Sequence, residues 1–292
     1  SKTSKRVLLM DLKDIDKNIF IGNYSGDAIG GNAVEGVTAV GYASASGALT
    51  SAANGTVAVG REALTALTSG AGNTAVGYQA LDAEDAGSYN TAVGYTALST
   101  LNIDGTVGNV AVGYAAGRDS STGVKNTFLG GFCGTTTVDA DNCVFVGYAA
   151  GGDGNITSAG DGSVGVGAFA LNDLTSGEGN TAVGLSAGAA ITDGQYNTLL
   201  GTEAGLTLNG GTSNVFVGWK AGRLQDEANH CIGIGHLALA NSTNDTSHNN
   251  IAIGSNSLDA VADGVATDNV AIGFDALTDL TIGDYNTVVG SS

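Results

Sequence analysis

Proline is absent from all 292 residues, where ordinary usage near 5% would place roughly 15. A chain whose backbone N–H groups nearly all donate to a neighbour has no room for it, so the absence points to continuous backbone pairing. Basic residues are scarce too: ten Lys and Arg stand against 28 Asp and Glu, a net charge of −18. Five of the ten, Lys2, Lys5, Arg6, Lys13 and Lys17, lie in residues 1–17, which carry +2 and leave −20 for the rest. An acidic surface repels nucleic acid and anionic membranes, so neither is an expected partner. No apolar run approaches the 18 or so residues of a membrane span, so no membrane insertion of this chain is expected. Residues 1–17 also lack the apolar core and small-residue cleavage site of a secretory signal.

Cysteine is limited to Cys133, Cys143 and Cys231. No Walker loop, Cys-x-x-Cys or His-Glu-x-x-His sequence is present, so nucleotide or zinc chemistry is not expected, nor is a nucleophile elbow. The reading is of a non-enzyme with no catalytic residue, no cofactor and no metal site.

What the chain has in abundance is glycine, 48 residues, and it is periodic. The stretch Asn73-Thr74-Ala75-Val76-Gly77-Tyr78-Gln79-Ala80-Leu81 recurs in sixteen copies, its central glycine running from Gly22 to Gly290. Successive glycines are 17 residues apart in nine intervals, 19 in five and 20 in one. A short, near-fixed period over most of a chain means one supersecondary unit stacked on itself. The predicted fold is an all-β parallel solenoid, or β-roll, of about sixteen coils over residues 18–292, preceded by a non-repeat segment, 1–17, that caps the first coil or serves assembly. At about 4.8 Å per rung the stack would be a rod roughly 75 Å long.

Positions are counted from the central glycine. Position −3 is Thr, Val or Ile and position −1 is Val, Ile or Leu in all sixteen copies. Such residues favour strand over helix, because they fit the pleat and lose rotamer freedom in a helix. Positions −3 and −1 share one face, read as the coil interior, and −2 points to the other. The glycine turns the chain, and +1 to +4 read as a second short strand. Position +3 is always Ala, Ser or Cys, as a constricted interior would require, and +1 is often aromatic, as at Tyr42, Tyr78, Tyr95, Tyr114, Tyr148, Trp219 and Phe274. A glycine at −7 in eight copies, among them Gly70, Gly87 and Gly177, marks the other corner, where positive φ is expected.

Position −2 is Ala in eight copies, Gly at Gly165 and Gly233, and large at Phe20, Phe128, Phe145, Leu199, Phe216 and Val288. The strand is thus apolar on both faces, the pattern of a sheet covered on both sides. A two-strand coil has one interior, so the second face is expected to meet another copy of the chain in a homo-oligomer.

Other constellations have simple readings. Asn at −4 in eleven copies is expected to form a ladder of amides from rung to rung. The acidic groups Asp82, Glu84 and Asp85, then Asp139 and Asp141, Asp226 and Glu227, Asp259 and Asp263 read as solvated turns, since their positions shift from coil to coil, with a metal such as calcium in one or two of the loops as the alternative. His230, His236 and His248 fall at −5, +1 and −6 and read as surface or edge residues, unlike the shared catalytic histidine of a hexapeptide-repeat acyltransferase. Cys143 and Cys231 share position −4 five coils apart, roughly 24 Å, too far for a disulfide, which needs Cα atoms within about 7 Å. All three cysteines read as small buried thiols.

The Asn-Thr-Ala-Val-Gly-Tyr-x-Ala unit, with variants such as Asn250-Ile251-Ala252-Ile253-Gly254, resembles the head repeats of trimeric autotransporter adhesins over about residues 18–290. Similar repeats occur in phage and viral tail fibres. The resemblance implies a left-handed parallel β-roll, three chains about one axis, and a place at the cell surface or on a virion. The 17-residue coil is longer than that family's usual one. The expected function is an extracellular adhesive rod that presents repeated edges to a surface receptor. Alternatives are a tail-fibre shaft, a subunit of a head-to-tail homopolymeric filament and, less favoured, a solenoid enzyme of acyltransferase or carbohydrate-active type.

Overall fold

The computed structural model describes residues 17–29, 34–241, 247–260, 266–280 and 282–291. It is a parallel β-solenoid, with one three-residue strand per repeat and almost no helix. Two compact units divide the chain, residues 1–126 and 127–292. Within the first, β1 (Ile19–Ile21), β2 (Thr38–Val40), β3 (Val57–Val59), β4 (Thr74–Val76), β6 (Thr91–Val93) and β8 (Val110–Val112) pair in sequence order. A smaller ladder joins β5 (Gly87–Ser88) to β7 (Gly105–Thr106). The second unit stacks ten strands from β9 (Thr127–Leu129) and β10 (Val144–Val146) to β18 (Thr287–Val289). Pairing is parallel and in register throughout, −3 beside −3 as in Thr74↔Thr91 and Thr181↔Thr198. Residues 1–16 of the expected cap lie outside the described residues.

The strand is turned the other way from the sequence expectation. Position −2 is the interior: Ala75, Ala92, Ala182, Phe128, Phe145 and Phe216 are fully buried, while −3 and −1 are half-exposed on the outside. A three-residue strand that is apolar on both faces does not reveal which face is inside. Size misleads here, because the small residue lies within and the β-branched pair without. The interior is narrow, and the coil fills it by exchange between two positions. Where −2 is Ala or Gly, +4 is commonly a buried Leu, as at Leu64, Leu81, Leu98, Leu171 and Leu239. Where −2 is Phe or Leu, +4 is Gly, because a Cβ at Gly134, Gly151 or Gly222 would lie 2.3 to 2.8 Å from the ring of Phe128, Phe145 or Phe216. The same crowding explains Gly165, whose Cβ would lie 2.9 Å from Phe145. Close packing of this kind leaves no space for a second large side chain.

Positions +1 to +4 do not form the expected second strand. They are a turn in which +2 and +4 take positive φ, for example Gln79 at +50° and Leu81 at +53°. The N–H of +2 donates to the preceding coil (Gln79 to the Arg61 carbonyl, 3.0 Å) and that of +4 to the following one (Leu81 to the Ala97 carbonyl, 3.1 Å). Both directions of the stack are thereby hydrogen-bonded without a strand. A left-handed Leu costs about 1 to 2 kcal/mol, and burying its side chain contributes about 1.5 to 3.

The central glycine is required twice over. Its φ lies between +134° and +148° in all sixteen copies, and a Cβ at Gly60 would sit 2.2 Å from the Gly77 carbonyl oxygen in the next coil. The −7 glycines have a different reason from the one expected. Of the eight only Gly283 has positive φ, whereas a Cβ at Gly70 or Gly177 would lie 2.0 or 2.1 Å from the carbonyl of Gly87 or Gly194. They are small because successive coils touch there. The positive-φ corner residue is at −5, in all sixteen copies, from Lys17 to Tyr285.

Candidate functional site

Two columns of aliphatic and threonine side chains, −3 and −1, run along the outside of each unit. In the second they include Thr127 and Leu129, Val144 and Val146, Thr181 and Val183, Thr198 and Leu200, and Ile251 and Ile253. Leu129 and Leu200 are 47% and 48% exposed, and no position in either column is charged. Parallel in-register pairing repeats the pattern without slip, so each unit carries a regular, uncharged strip.

Beside the strip stands the +1 column. Tyr78, Tyr95 and Tyr114 stack with centroids 4.9 and 5.4 Å apart, and the Arg61 guanidinium lies between Tyr42 and Tyr78 at 5.6 and 5.8 Å. Rings stacked this way turn their faces to one another and present edges outward, so the column works as packing between rungs. In the second unit Trp219 stacks on His236 at 4.8 Å, with Lys220 Nζ 4.1 Å from the indole centroid. Lys220 and Arg223 both contact Glu203, at 3.6 and 3.0 Å.

Buried asparagines form the expected ladder. Asn197 Oδ1 accepts the Asn214 backbone N–H at 2.9 Å and its Nδ2 at 3.0 Å, while Asn197 Nδ2 donates to Gly211 at 2.7 Å. Thr56, Ser163, Cys143 and Cys231 hold the same buried position. Removing one amide orphans donors in the next coil, and unmade buried hydrogen bonds cost about 1 to 3 kcal/mol each. Asn197→Leu should therefore lose about 3 kcal/mol in urea denaturation, and a loss under about 0.5 kcal/mol would contradict the ladder.

A second ladder at −6 escapes the sequence reading. The side chains of Asn54, Ser88, Asp161, Asn229, His248 and Asp284 each accept the backbone N–H of residue −6 in the preceding coil, for instance Asp161 from Asp141 at 2.8 Å. Its chemistry changes from Asn to Ser, Asp and His, so it leaves no single-letter signal. It moves His248 from an edge residue to a structural one, whereas His230 and His236 are exposed as expected.

The acidic groups divide. Asp139 Oδ1 caps Ser158 N at 2.8 Å, and Asp263 lies outside the described residues. Asp259 is held above the ordinary carboxylate value, first by burial and then by Asp275 and Asp279. Glu84 is not solvated: it is fully buried, at +7, between the buried leucines Leu67 and Leu101 of the adjacent coils. All three cysteines are buried thiols, none of them in a disulfide. Burial pushes the Cys133 thiol up to about 12 and those of Cys143 and Cys231 to about 11, which leaves little thiolate to react near neutral pH.

One motif escaped the expectation of no nucleophile elbow. Gly184-Leu185-Ser186-Ala187-Gly188 has the Gly-x-Ser-x-Gly form, and Ser186 has φ +53° after a strand. The same position and φ are held by Gln79, Thr96, Phe132, Glu203 and Lys220 in other coils, so the geometry belongs to the repeat. Among the described residues no three His, Cys, Asp or Glu side chains group to hold a metal, and no helix is long and apolar enough to cross a membrane. A search of protein-family models finds no match to this chain, and a search of curated proteins finds none either.

Proposed function

We propose that this chain is a non-enzymatic structural module of an extracellular adhesive fibre, and that copies of it associate through the −3/−1 strip. The observation that carries the reading is the strip itself: half-exposed Val, Ile, Leu and Thr in register on every rung, with no charge among them. With the strand reversed, the uncovered apolar face is the outer one, and this supports association between copies of the chain. Ten rungs at about 4.8 Å give the second unit a face about 48 Å long. A stable interface of about 800 Å² per partner then needs a band roughly 17 Å wide. A trimer is the arrangement implied by the adhesin resemblance. Identical rungs repeat any weak contact, so avidity for a receptor surface can exceed single-site affinity.

Light scattering on Val183→Glu/Val217→Glu tests the association. The wild type should give a multiple of 28.6 kDa and the double variant 28.6 kDa with an unchanged circular dichroism spectrum. A monomeric wild type, or equal masses for the two, would overturn it.

A further inference from the structure

Glu84 occupies a place in the core that other coils give to Leu67, Leu101, Leu174 or Leu208. Its Oε1 accepts the backbone N–H groups of Ala86 at 3.1 Å and Gly87 at 2.5 Å, and its Oε2, buried, has no hydrogen-bond partner. Gly87 opens β5, whose pairing with β7 is completed by Val107 and Gly108 donating to the Ser88 carbonyl at 3.2 and 3.3 Å. The asparagine ladder keeps its Oδ1 rungs here, Asn90 N–H to Asn73 Oδ1 at 2.8 Å and Asn109 N–H to Asn90 Oδ1 at 3.0 Å, but not the amide one. Asn90 Nδ2 is buried without a partner, whereas Asn73 Nδ2 in the preceding coil donates to the Gly87 carbonyl at 2.7 Å. A buried acceptor and a buried donor are therefore both unmet in a single coil.

We propose that Glu84 is a proton-operated latch on residues 82–89: protonated it stays in the core and holds β5 to β7, and ionised it leaves the core and releases that pair. An isolated carboxylate with an unmet oxygen in an apolar column is costly as a charge and acceptable as an acid. The charged groups around it do not favour ionisation. On its own connection Asp82 and Asp85 each keep a buried oxygen without a partner, Glu62 of the preceding coil acts on Asp82, and the following coil places Asp104 beside β7. Arg61, the cation of the preceding coil, is bound to Glu62 at 2.9 Å. Burial raises the Glu84 carboxyl above its usual 4.5, the amides of Gly87, Ala86 and, more weakly, Ile103 pull the other way, and the Asp85 charge adds to the rise. The closed state thus binds the proton more tightly than the open one. Its stability is full below the ordinary carboxylate value, declines as pH rises toward the raised value and levels off above it. The latch rests on the fold and not on the adhesive reading.

Amide hydrogen exchange read by NMR between about pH 4 and pH 8 tests it, at Ala86, Gly87, Val107 and Gly108. After correction for intrinsic exchange, wild-type protection at these amides should fall by up to about tenfold per pH unit across that window, the limit for one proton. Thr91 and Val93, in the main sheet, should stay protected, and Glu84→Gln should remove the slope. Flat wild-type protection, or the same slope in Glu84→Gln, would overturn the proposal. Should Glu84→Gln fail to fold, the side-chain carboxyl carbon of wild-type Glu84 decides: a titration midpoint at or below 4.5 overturns the latch, and one above it supports it.

Discussion

Gly147→Val should destabilise the second unit by about 4 kcal/mol or more, with the loss centred on the coils around residues 147 and 167. Two costs combine. Gly147 has φ +134°, where a β-branched residue is strained, and a Cβ there would lie 2.5 Å from the Gly167 carbonyl oxygen and 2.6 Å from its carbon. Both contacts are backbone, held in place by the β10–β11 (Val164–Val166) ladder, so neither can step aside without breaking rungs. In a repeat stack each coil touches only its neighbours, so the expected result is a lowered, broadened thermal transition with hydrogen-exchange protection lost near the substitution. A variant melting within a degree or two of wild type would mean that the glycine is dispensable.

Much of this fold was legible because one constraint repeats sixteen times. An invariant β-branched residue at −3, an aliphatic one at −1 and a glycine after them identify the strand and its turn. An unvarying Ala, Ser or Cys at +3 identifies a buried position, and Asn at −4 a ladder. Periodicity identifies columns. It does not say which columns point inward when a strand is three residues long and apolar on both sides.

The information that settles the orientation was nonetheless present, in pairs six residues apart. Phe128 with Gly134, Phe145 with Gly151 and Phe216 with Gly222 set a large residue at −2 against none at +4, while Ala75 with Leu81 and Ala92 with Leu98 do the reverse. Such exchange of volume is required only of residues that share an interior. Two features stayed hidden for other reasons. Glu84 read as solvated because its neighbours Asp82 and Asp85 are acidic, although the +7 column that it occupies is leucine in the coils on either side. The −7 glycines read as turns because glycine has two uses, positive φ and close approach, and sequence alone does not separate them.

The proposed assembly follows from the reversal. With −2 inside, the half-exposed Val, Ile, Leu and Thr of −3 and −1 are what the coil presents, and charge should be tolerated there by the fold and not by the association. At −2 charge should be tolerated by neither, since an unpaired buried carboxylate has no compensating partner among Ala and Leu side chains.

The most direct measurement is therefore thermal unfolding of Ala182→Glu beside Val183→Glu, adjacent residues on the same strand with opposite facing. Ala182 is fully buried, so Ala182→Glu should lose about 3 to 5 kcal/mol or fail to fold, while Val183→Glu should keep the β circular dichroism spectrum of wild type and unfold cooperatively as a monomer. A folded, wild-type-like Ala182→Glu together with an unfolded Val183→Glu would place −2 outside and contradict the account.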